Sequence, residues 1–206
     1  MRRLIIAVVV LGGAFLAVDV GARTWAQGQI ETRARAEIPK EVSVGAHIRA
    51  FPFLPPLLIA GRVSEVGGHF ENVPAGALTL SAVDIVLHGV RINRNKLLHD
   101  RKVELVSIDE GTVTIEITAA VLSKAAGVPI TISNGQMKVA GVGIARVSVQ
   151  DNALVIAGVR TLAIPKTRLV PCATNATLLA DRVRLSCTIR TLPPALLGAA
   201  NRELGN

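Results

Sequence analysis

Histidine and cysteine are the residue types with which zinc is most often bound. This chain contains four histidines, His47, His69, His88 and His99. They are scattered, and no pair has the spacing of a helical metal-binding motif. The two cysteines, Cys172 and Cys187, lie far along the chain from any pair of histidines. The sequence therefore predicts no metal site, and it indicates no bound cofactor.

No segment has the pattern of a catalytic nucleophile or of a phosphate-binding loop. A Gly-x-Ser-x-Gly motif is absent, and so is a glycine-rich loop that ends in Lys. Asp109 and Glu110 are adjacent, so on a strand their carboxylates would point to opposite faces, and a turn is the better interpretation. We therefore assign no catalytic residues and predict that the protein is not an enzyme.

Cys172 and Cys187 are candidates for a disulfide bond. The chain between them could turn near Leu179, giving a hairpin with arms 172–178 and 182–190 that places the two sulfurs opposite each other. A bridge closing such a loop would stabilise the fold by about 3 kcal/mol in the chain-entropy model. The alternative is a pair of buried free thiols. An oxidising compartment, which the N-terminus indicates, favours the disulfide.

A basic segment, residues 91–102, lies between two long predicted strands. Its candidate binding residues are the cations Arg91, Arg94, Lys96, Arg101 and Lys102. Such a loop could bind an anionic headgroup or an anionic membrane surface, because each basic residue near a charged bilayer contributes about 1 kcal/mol. The alternative interpretation is a solvated hairpin tip.

The apolar content of the chain is almost entirely aliphatic. Half of the residues are hydrophobic, whereas aromatic residues make up only 2% and Tyr is absent. Nucleic-acid binders need aromatic faces on which bases stack, so we predict no nucleic-acid partner. Aliphatic side chains suit acyl chains, and the net charge of +8 favours an anionic partner.

The N-terminus has the organisation of an export signal. Met1–Arg3 is cationic and is followed by an apolar stretch, Leu4–Val18, which is shorter than the roughly 20 residues of a membrane-spanning helix. Small residues at Val20–Ala22 could allow cleavage. We predict a signal peptide or an uncleaved anchor over residues 1–22 and one domain over residues 23–206. Either form places the protein in the cell envelope or periplasm, and the anchored form attaches it to the plasma membrane.

Periodicity predicts short helices and a first strand near the N-terminus. Residues 22–38 have helical spacing and end at Pro39, and residues 42–50 alternate strictly as in a half-buried strand. A second helix should start near Pro55 and end at Gly61. This region carries the apolar candidates Phe51, Phe53, Leu54, Leu57 and Leu58. They could form a membrane-dipping lip or the mouth of an apolar channel, or they could simply plug the core.

Three long β-like runs follow, over residues 78–92, 103–118 and, with breaks, 136–164. In the second run Val113, Ile115 and Ile117 face opposite to Thr112, Thr114 and Glu116, so one face is apolar and we expect it to contact lipid. We expect a bend at 109–111, a helix over 119–126, turns at 134–135 and 151–152, and a last helix from Pro193 through Leu204. Strands this long must coil. The predicted fold class is α+β, a single domain with a long coiled antiparallel sheet wrapped around or covered by helices.

Several segments together resemble the LmeA-like phospholipid-binding proteins of actinobacterial envelopes. They are Phe51-Pro52-Phe53-Leu54 with Leu57-Leu58 and Gly61, Leu87-His88-Gly89-Val90, and Gly111-Thr112-Val113-Thr114-Ile115 leading to Leu122. Their order and spacing extend the likeness over nearly the whole chain, although Pro55-Pro56 departs from the pattern.

This resemblance implies an exported or membrane-anchored protein that binds phospholipid, particularly lipids of the phosphatidylinositol type. It also implies support of mannan elongation in lipomannan and lipoarabinomannan. The fold it implies is akin to tubular lipid-binding domains, in which a helix lies in a curled sheet. It supplies no catalytic residues.

Three hypotheses follow. The first is an envelope phospholipid-binding protein whose strands line a groove and whose cations at 91–102 or 166–168 meet the headgroup. The second is an adaptor domain with a solid core that holds an envelope glycosyltransferase at the membrane. The third is a hydrolase of envelope lipids, because catalytic triads assemble from distant positions.

Overall fold

The computed structural model describes residues 2–37, 42–75, 78–100, 102–151, 153–163 and 175–191. Arg101, Cys172, the alternative headgroup segment 166–168 and the predicted helix after Pro193 lie outside these residues.

The described residues form three α-helices and thirteen strands. The helices are α1 (Arg2–Glu37), α2 (Leu54–Ala60) and α3 (Ala119–Ala126). The strands are β1 (Ser43–Ile48), β2 (Arg62–Ala75), β3 (Leu78–Ile92), β4 (Leu105–Ser107), β5 (Glu110–Thr118), β6 (Ile130–Ser133), β7 (Gln136–Val139), β8 (Gly143–Ala145), β9 (Val147–Gln150), β10 (Ala153–Ile156), β11 (Arg160–Ala163), β12 (Asn175–Leu178) and β13 (Arg182–Ile189). A π-helical turn, Lys96–Asp100, lies between β3 and β4.

One antiparallel sheet organises the molecule. Its strand order is β1-β2-β3-β5-β13-β12, and β4 extends it beside β3. Two smaller three-stranded sheets, β6-β7-β8 and β9-β10-β11, complete the strands. Every strand pairing among the described residues is antiparallel, which confirms a single α+β domain with a long antiparallel sheet.

The β2–β3 hairpin is long, and the positions that face the core change parity twice along each of its strands. Its strands contain 14 and 15 residues, and Asn72 and Gly89 have φ angles of 57° and 59°. These left-handed residues interrupt the regular alternation, so that buried side chains switch between odd and even positions along each strand. The side chains of one hairpin consequently contribute to two separate apolar clusters.

The two clusters lie at opposite ends of one face of the sheet, which we call the inner face. The large core surrounds Leu80, Val83, Ile115, Leu122 and Leu185 and includes the inner sides of the small sheets. The small core contains Ile48, Ala50, Phe53, Val63, Val90 and Ile108. Residues of α1 and α2 pack against the small core, so the helices close that end of the inner face.

Helix α1 is bound to the domain by polar contacts as well as by packing. The Asp19 carboxylate is 1% exposed and accepts hydrogen bonds from the backbone N–H groups of Phe53 and Leu54, at the start of α2. Further along, Glu31 accepts a hydrogen bond of 2.9 Å from Ala46 N–H on the edge strand β1. An edge strand exposes unpaired backbone groups. Helix α1 covers part of this edge and satisfies one of those groups through Glu31.

Most local predictions are confirmed. Helix α2 ends before Gly61, α3 ends before Gly127, and hairpins connect β6 to β7 at Asn134-Gly135 and β9 to β10 between Gln150 and Ala153. The run 103–118 divides into β4 and β5 at the expected bend. The order of elements differs from expectation at two places: α1 is one continuous helix from Arg2, and β2 was not predicted.

Candidate functional site

Between the two cores, the inner face carries apolar residues that are only partly buried. We call them the central apolar strip, and they are Ala46, Val66, Gly68, Phe70, Ile85 and Leu87. The register places Ala46 opposite Gly68, and Gly68 opposite Ile85, across three neighbouring strands. Phe70 and Ile85 pack against the large core, whereas Val66 and Leu87 pack against the small core. The strip is therefore a continuous apolar connection between the cores that the protein covers incompletely.

Glycines keep the surface of the central apolar strip flat. A Cβ at Gly68 would lie 3.0 Å from the Phe70 ring, and a Cβ at Gly111 would lie 2.9 Å from Leu87 and 2.8 Å from Ile189. These larger side chains therefore lean across the glycines. The result is an apolar surface without a protruding ridge, on which a flexible hydrocarbon chain could lie.

The predicted lining residues of β5 lie deeper than the strip. Val113, Ile115 and Ile117 are at most 1% exposed and belong to the large core. Thr112, Thr114 and Glu116 occupy the opposite face, which confirms the predicted alternation. These three residues pack in the large core together with residues of α3 and of the small sheets. The accessible apolar surface is provided by the neighbouring residues of the central apolar strip. A lipid contact for these three stays a prediction.

Some apolar residues around α2 fit the interpretation of a core plug, and others fit that of a membrane-dipping lip. Phe53 is buried in the small core, and Leu54 and Leu57 pack against it, as expected for a core plug. Phe51 is 69% exposed and Leu58 is 43% exposed, as expected for a lip. Ile59, which was not predicted, is 72% exposed. Together Phe51, Leu58 and Ile59 form the exposed apolar lip.

The basic segment is partly neutralised by acidic neighbours. Lys96 Nζ lies 2.8 Å from Glu104 Oε2, and Arg91 lies 3.6 Å from Asp109. The hydrogen bond to Glu104 raises the pKa of Lys96. Arg94 donates to the carbonyl oxygen of Ile59 at 2.8 Å, which ties this loop to the end of α2. Lys102 donates its backbone N–H to the carbonyl of Lys96. Among the described cations of this segment, Arg94 therefore lies beside the lip, whereas Arg91 and Lys96 have carboxylate partners.

Three histidines on neighbouring strands lie beside carboxylates on the outer face of the sheet, and the sequence did not indicate these pairs because their members are distant along the chain. His47 and His88 lie 3.9 Å and 3.7 Å from Glu65, and His69 lies 2.6 Å from Asp84. The hydrogen bond with Asp84 raises the pKa of His69; partial burial opposes the shift and Glu71 adds to it. Within the described part of the chain, no group of three or more His, Cys, Asp or Glu side chains could hold a metal ion.

The predicted cysteine hairpin forms with a different register. Strands β12 and β13 pair Asn175 with Ser186, whereas sulfurs directly opposite each other would require Asn175 to face Arg184. Cys187 is buried on the inner face of β13. A shift of two residues leaves the alternation of faces unchanged. The disulfide stays a prediction, because Cys172 lies outside the described residues.

The N-terminal segment is continuous with the domain. Helix α1 crosses the predicted boundary between residues 22 and 23 without a break, and Ala22, Ala26 and Ile30 pack against the small core. Across the described residues, none of the helices is both long enough and apolar enough to span a bilayer.

Comparison with known proteins identifies the family. The family model described as LmeA-like phospholipid-binding matches residues 17–205. No curated protein and no solved structure matches the chain. The family match begins at Ala17, so it includes Asp19 and the part of α1 that packs on the small core. The match covers most of the chain, and the protein belongs to the LmeA-like phospholipid-binding family.

Proposed function

We propose that the protein binds a phospholipid by placing an acyl chain along the central apolar strip. The observation that carries this proposal is the partial exposure of Val66, Phe70, Ile85 and Leu87 between two closed cores. Each methylene group that leaves water contributes about 0.8 kcal/mol. Family membership supports the same ligand class. The activity is binding, and no step of chemistry is proposed.

The exposed apolar lip is proposed to dip into a membrane surface. Phe51, Leu58 and Ile59 expose apolar area, and Arg94 is fixed beside them by its bond to the Ile59 carbonyl. A cation next to inserted apolar side chains matches a bilayer that contains anionic lipids. The lip would bring the strip close to the source or destination of its lipid.

We further propose that α1 remains attached after export and holds the protein at the plasma membrane of the cell envelope. Asp19 supports retention, because cleavage at Val20–Ala22 would remove the carboxylate that caps α2. The exposed side chains of Leu16, Val18 and Val20 on α1 extend the apolar character toward the N-terminus.

The finer lipid assignment rests on the family resemblance. Phosphatidylinositol-type lipids, support of mannan elongation and a tubular lipid-binding architecture are proposals of this kind. A lipid panel that compares phosphatidylinositol with phosphatidylglycerol and phosphatidylcholine tests the first, since a preference for inositol lipids should appear as selective loading.

The acyl-chain site is tested by two neighbouring residues with opposite faces. Ile85 belongs to the strip, and Val86 lies on the outer face of the same strand. Ile85→Asn should reduce phospholipid loading several-fold, whereas Val86→Asn should preserve it. Equal loading in both variants would contradict the site. A protein that carries no lipid at all would instead favour the adaptor that holds a glycosyltransferase.

A further inference from the structure

Arg23 lies on the face of α1 that packs against the domain. Ala22, Ala26 and Ile30 contact the small core, and Asp19 contacts the start of α2. Arg23 follows Asp19 by four residues and precedes Ala26 by three, so helical geometry places it on the same face. An arginine at this position is unexpected, because its neighbours on the face are apolar or engaged by backbone groups.

The guanidinium of Arg23 has an unmet hydrogen-bonding capacity. Its Nε is buried and has no hydrogen-bond partner among the residues that the structure describes. The acids nearby on α1 are already engaged, Asp19 by Phe53 and Leu54, and Glu31 by Ala46. Arg23 as a whole is only partly buried, and leaving a charged donor such as its Nε–H without a partner costs more than leaving a neutral one. The position therefore suits a ligand that supplies an anionic acceptor.

We propose that Arg23 binds the phosphate of a phospholipid headgroup. This inference deepens the proposed phospholipid binding and depends on it. The planar guanidinium presents parallel N–H donors that match two phosphate oxygens. It was not among the predicted headgroup residues, of which Arg91 and Lys96 already have carboxylate partners.

The location connects the phosphate to the acyl-chain site. Ala22 and Ala26, on either side of Arg23, pack against the same small core as Val66 and Leu87 of the central apolar strip. A headgroup at Arg23 therefore lies at the end of the inner face where α1 and α2 meet. Its acyl chain can run from there along the strip toward the large core.

The test compares Arg23→Gln and Arg23→Lys with Arg160→Gln in the full chain. Arg160 is exposed on β11, so its loss serves as the control for removing one positive charge. Each protein is equilibrated with vesicles of phosphatidylglycerol and phosphatidylcholine, and separately with diacylglycerol, which has no phosphate. Bound lipid is extracted and quantified, and thermal unfolding confirms that each variant is folded.

We expect Arg23→Gln to lower phospholipid loading about tenfold, the equivalent of about 1.4 kcal/mol. Diacylglycerol loading should stay unchanged, and Arg23→Lys should fall between Arg23→Gln and the wild type because it keeps the charge but loses the paired donors. Phospholipid loading equal to that of Arg160→Gln would overturn the inference while leaving phospholipid binding intact. A wild-type protein that loads no phospholipid would remove the proposed function itself.

A nuclear magnetic resonance titration of the wild-type protein tests the same site without relying on the folding of any variant. The Arg23 Nε–H signal should shift when phospholipid is added and should shift little with inorganic phosphate alone. A full shift with inorganic phosphate, and no further change with phospholipid, would assign the site to a free anion and overturn the lipid assignment.

Discussion

The Asp19 carboxylate accepts a hydrogen bond of 2.6 Å from the backbone N–H of Leu54, 35 residues along the chain. This contact joins α1 to α2 although the sequence suggests that α1 begins as a detachable export segment. It holds the exposed apolar lip and the docked part of α1 in a fixed relationship.

Replacing Asp19 should destabilise the protein. Asp19→Ala leaves the N–H groups of Phe53 and Leu54 without their acceptor, so the free energy of unfolding should fall by about 2 kcal/mol. Asp19→Asn keeps one acceptor oxygen and should lose less. Urea unfolding measures both. Asp100→Ala, at an exposed position, should change stability by less than about 0.5 kcal/mol, and an equal loss there would contradict the role of Asp19.

A side chain at Gly89 should destabilise the protein. The φ of 59° at this position favours glycine, and a Cβ would collide with the Asp109 carboxylate that pairs with Arg62 and Arg91. Gly89→Ala should cost about 1 kcal/mol from backbone strain and more from the collision. Gly127→Ala has similar strain at φ 74° but open space, so it should cost only about 1 kcal/mol. If Gly89→Ala and Gly127→Ala lose the same stability in thermal unfolding, the collision with Asp109 has no energetic effect and the prediction is wrong.

His69 should make stability depend on pH. Asp84 raises the pKa of His69 above the ordinary 6.5. The stabilisation is complete below that unfolded-state value and is lost as pH rises through the folded-state pKa. His69→Gln should therefore cost more stability at pH 5.5 than at pH 8.5, by less than about 1 kcal/mol because the pair is half exposed. Asp84→Asn should lower the pKa of His69 in an imidazole titration; an unchanged pKa would contradict this pairing.

The exposed apolar lip should control attachment to vesicles. Ile59→Ser removes a side chain that is 72% exposed, and Ile144→Ser removes one that is 68% exposed on β8. The first should weaken binding to anionic vesicles several-fold, because burial of apolar area in the bilayer is lost. The second should leave binding unchanged. Sedimentation with vesicles measures both, and the same loss in both variants would show that general surface apolarity, and no particular lip, drives attachment.

Local patterns were sufficient to predict much of the fold. Gly61 ends α2, Asn134-Gly135 turns a hairpin, and Ile115 alternates with Thr114 because each depends on residues within a few positions. Strand β2 escaped prediction because Gly67-Gly68 interrupts its alternation. The need for Gly67 becomes visible only in three dimensions, where the His47 ring occupies the space of a Cβ.

The site was harder to predict than the fold because its parts are distant in sequence. Ile115 and Ile85 look alike as aliphatic strand residues, yet the first is enclosed by the large core and the second is partly exposed. Arg23 falls just beyond the predicted export segment. Only the packing of α1 on the small core reveals its buried Nε.

Lipid quantification on the protein purified from its native envelope tests the central claim most directly. The purified protein is extracted with solvent, and the phospholipid released per chain is measured by mass spectrometry. The central apolar strip predicts stoichiometric phospholipid in the wild type and much less in Ile85→Asn. Lipid-free wild-type protein that also fails to take up phospholipid from vesicles would contradict the account.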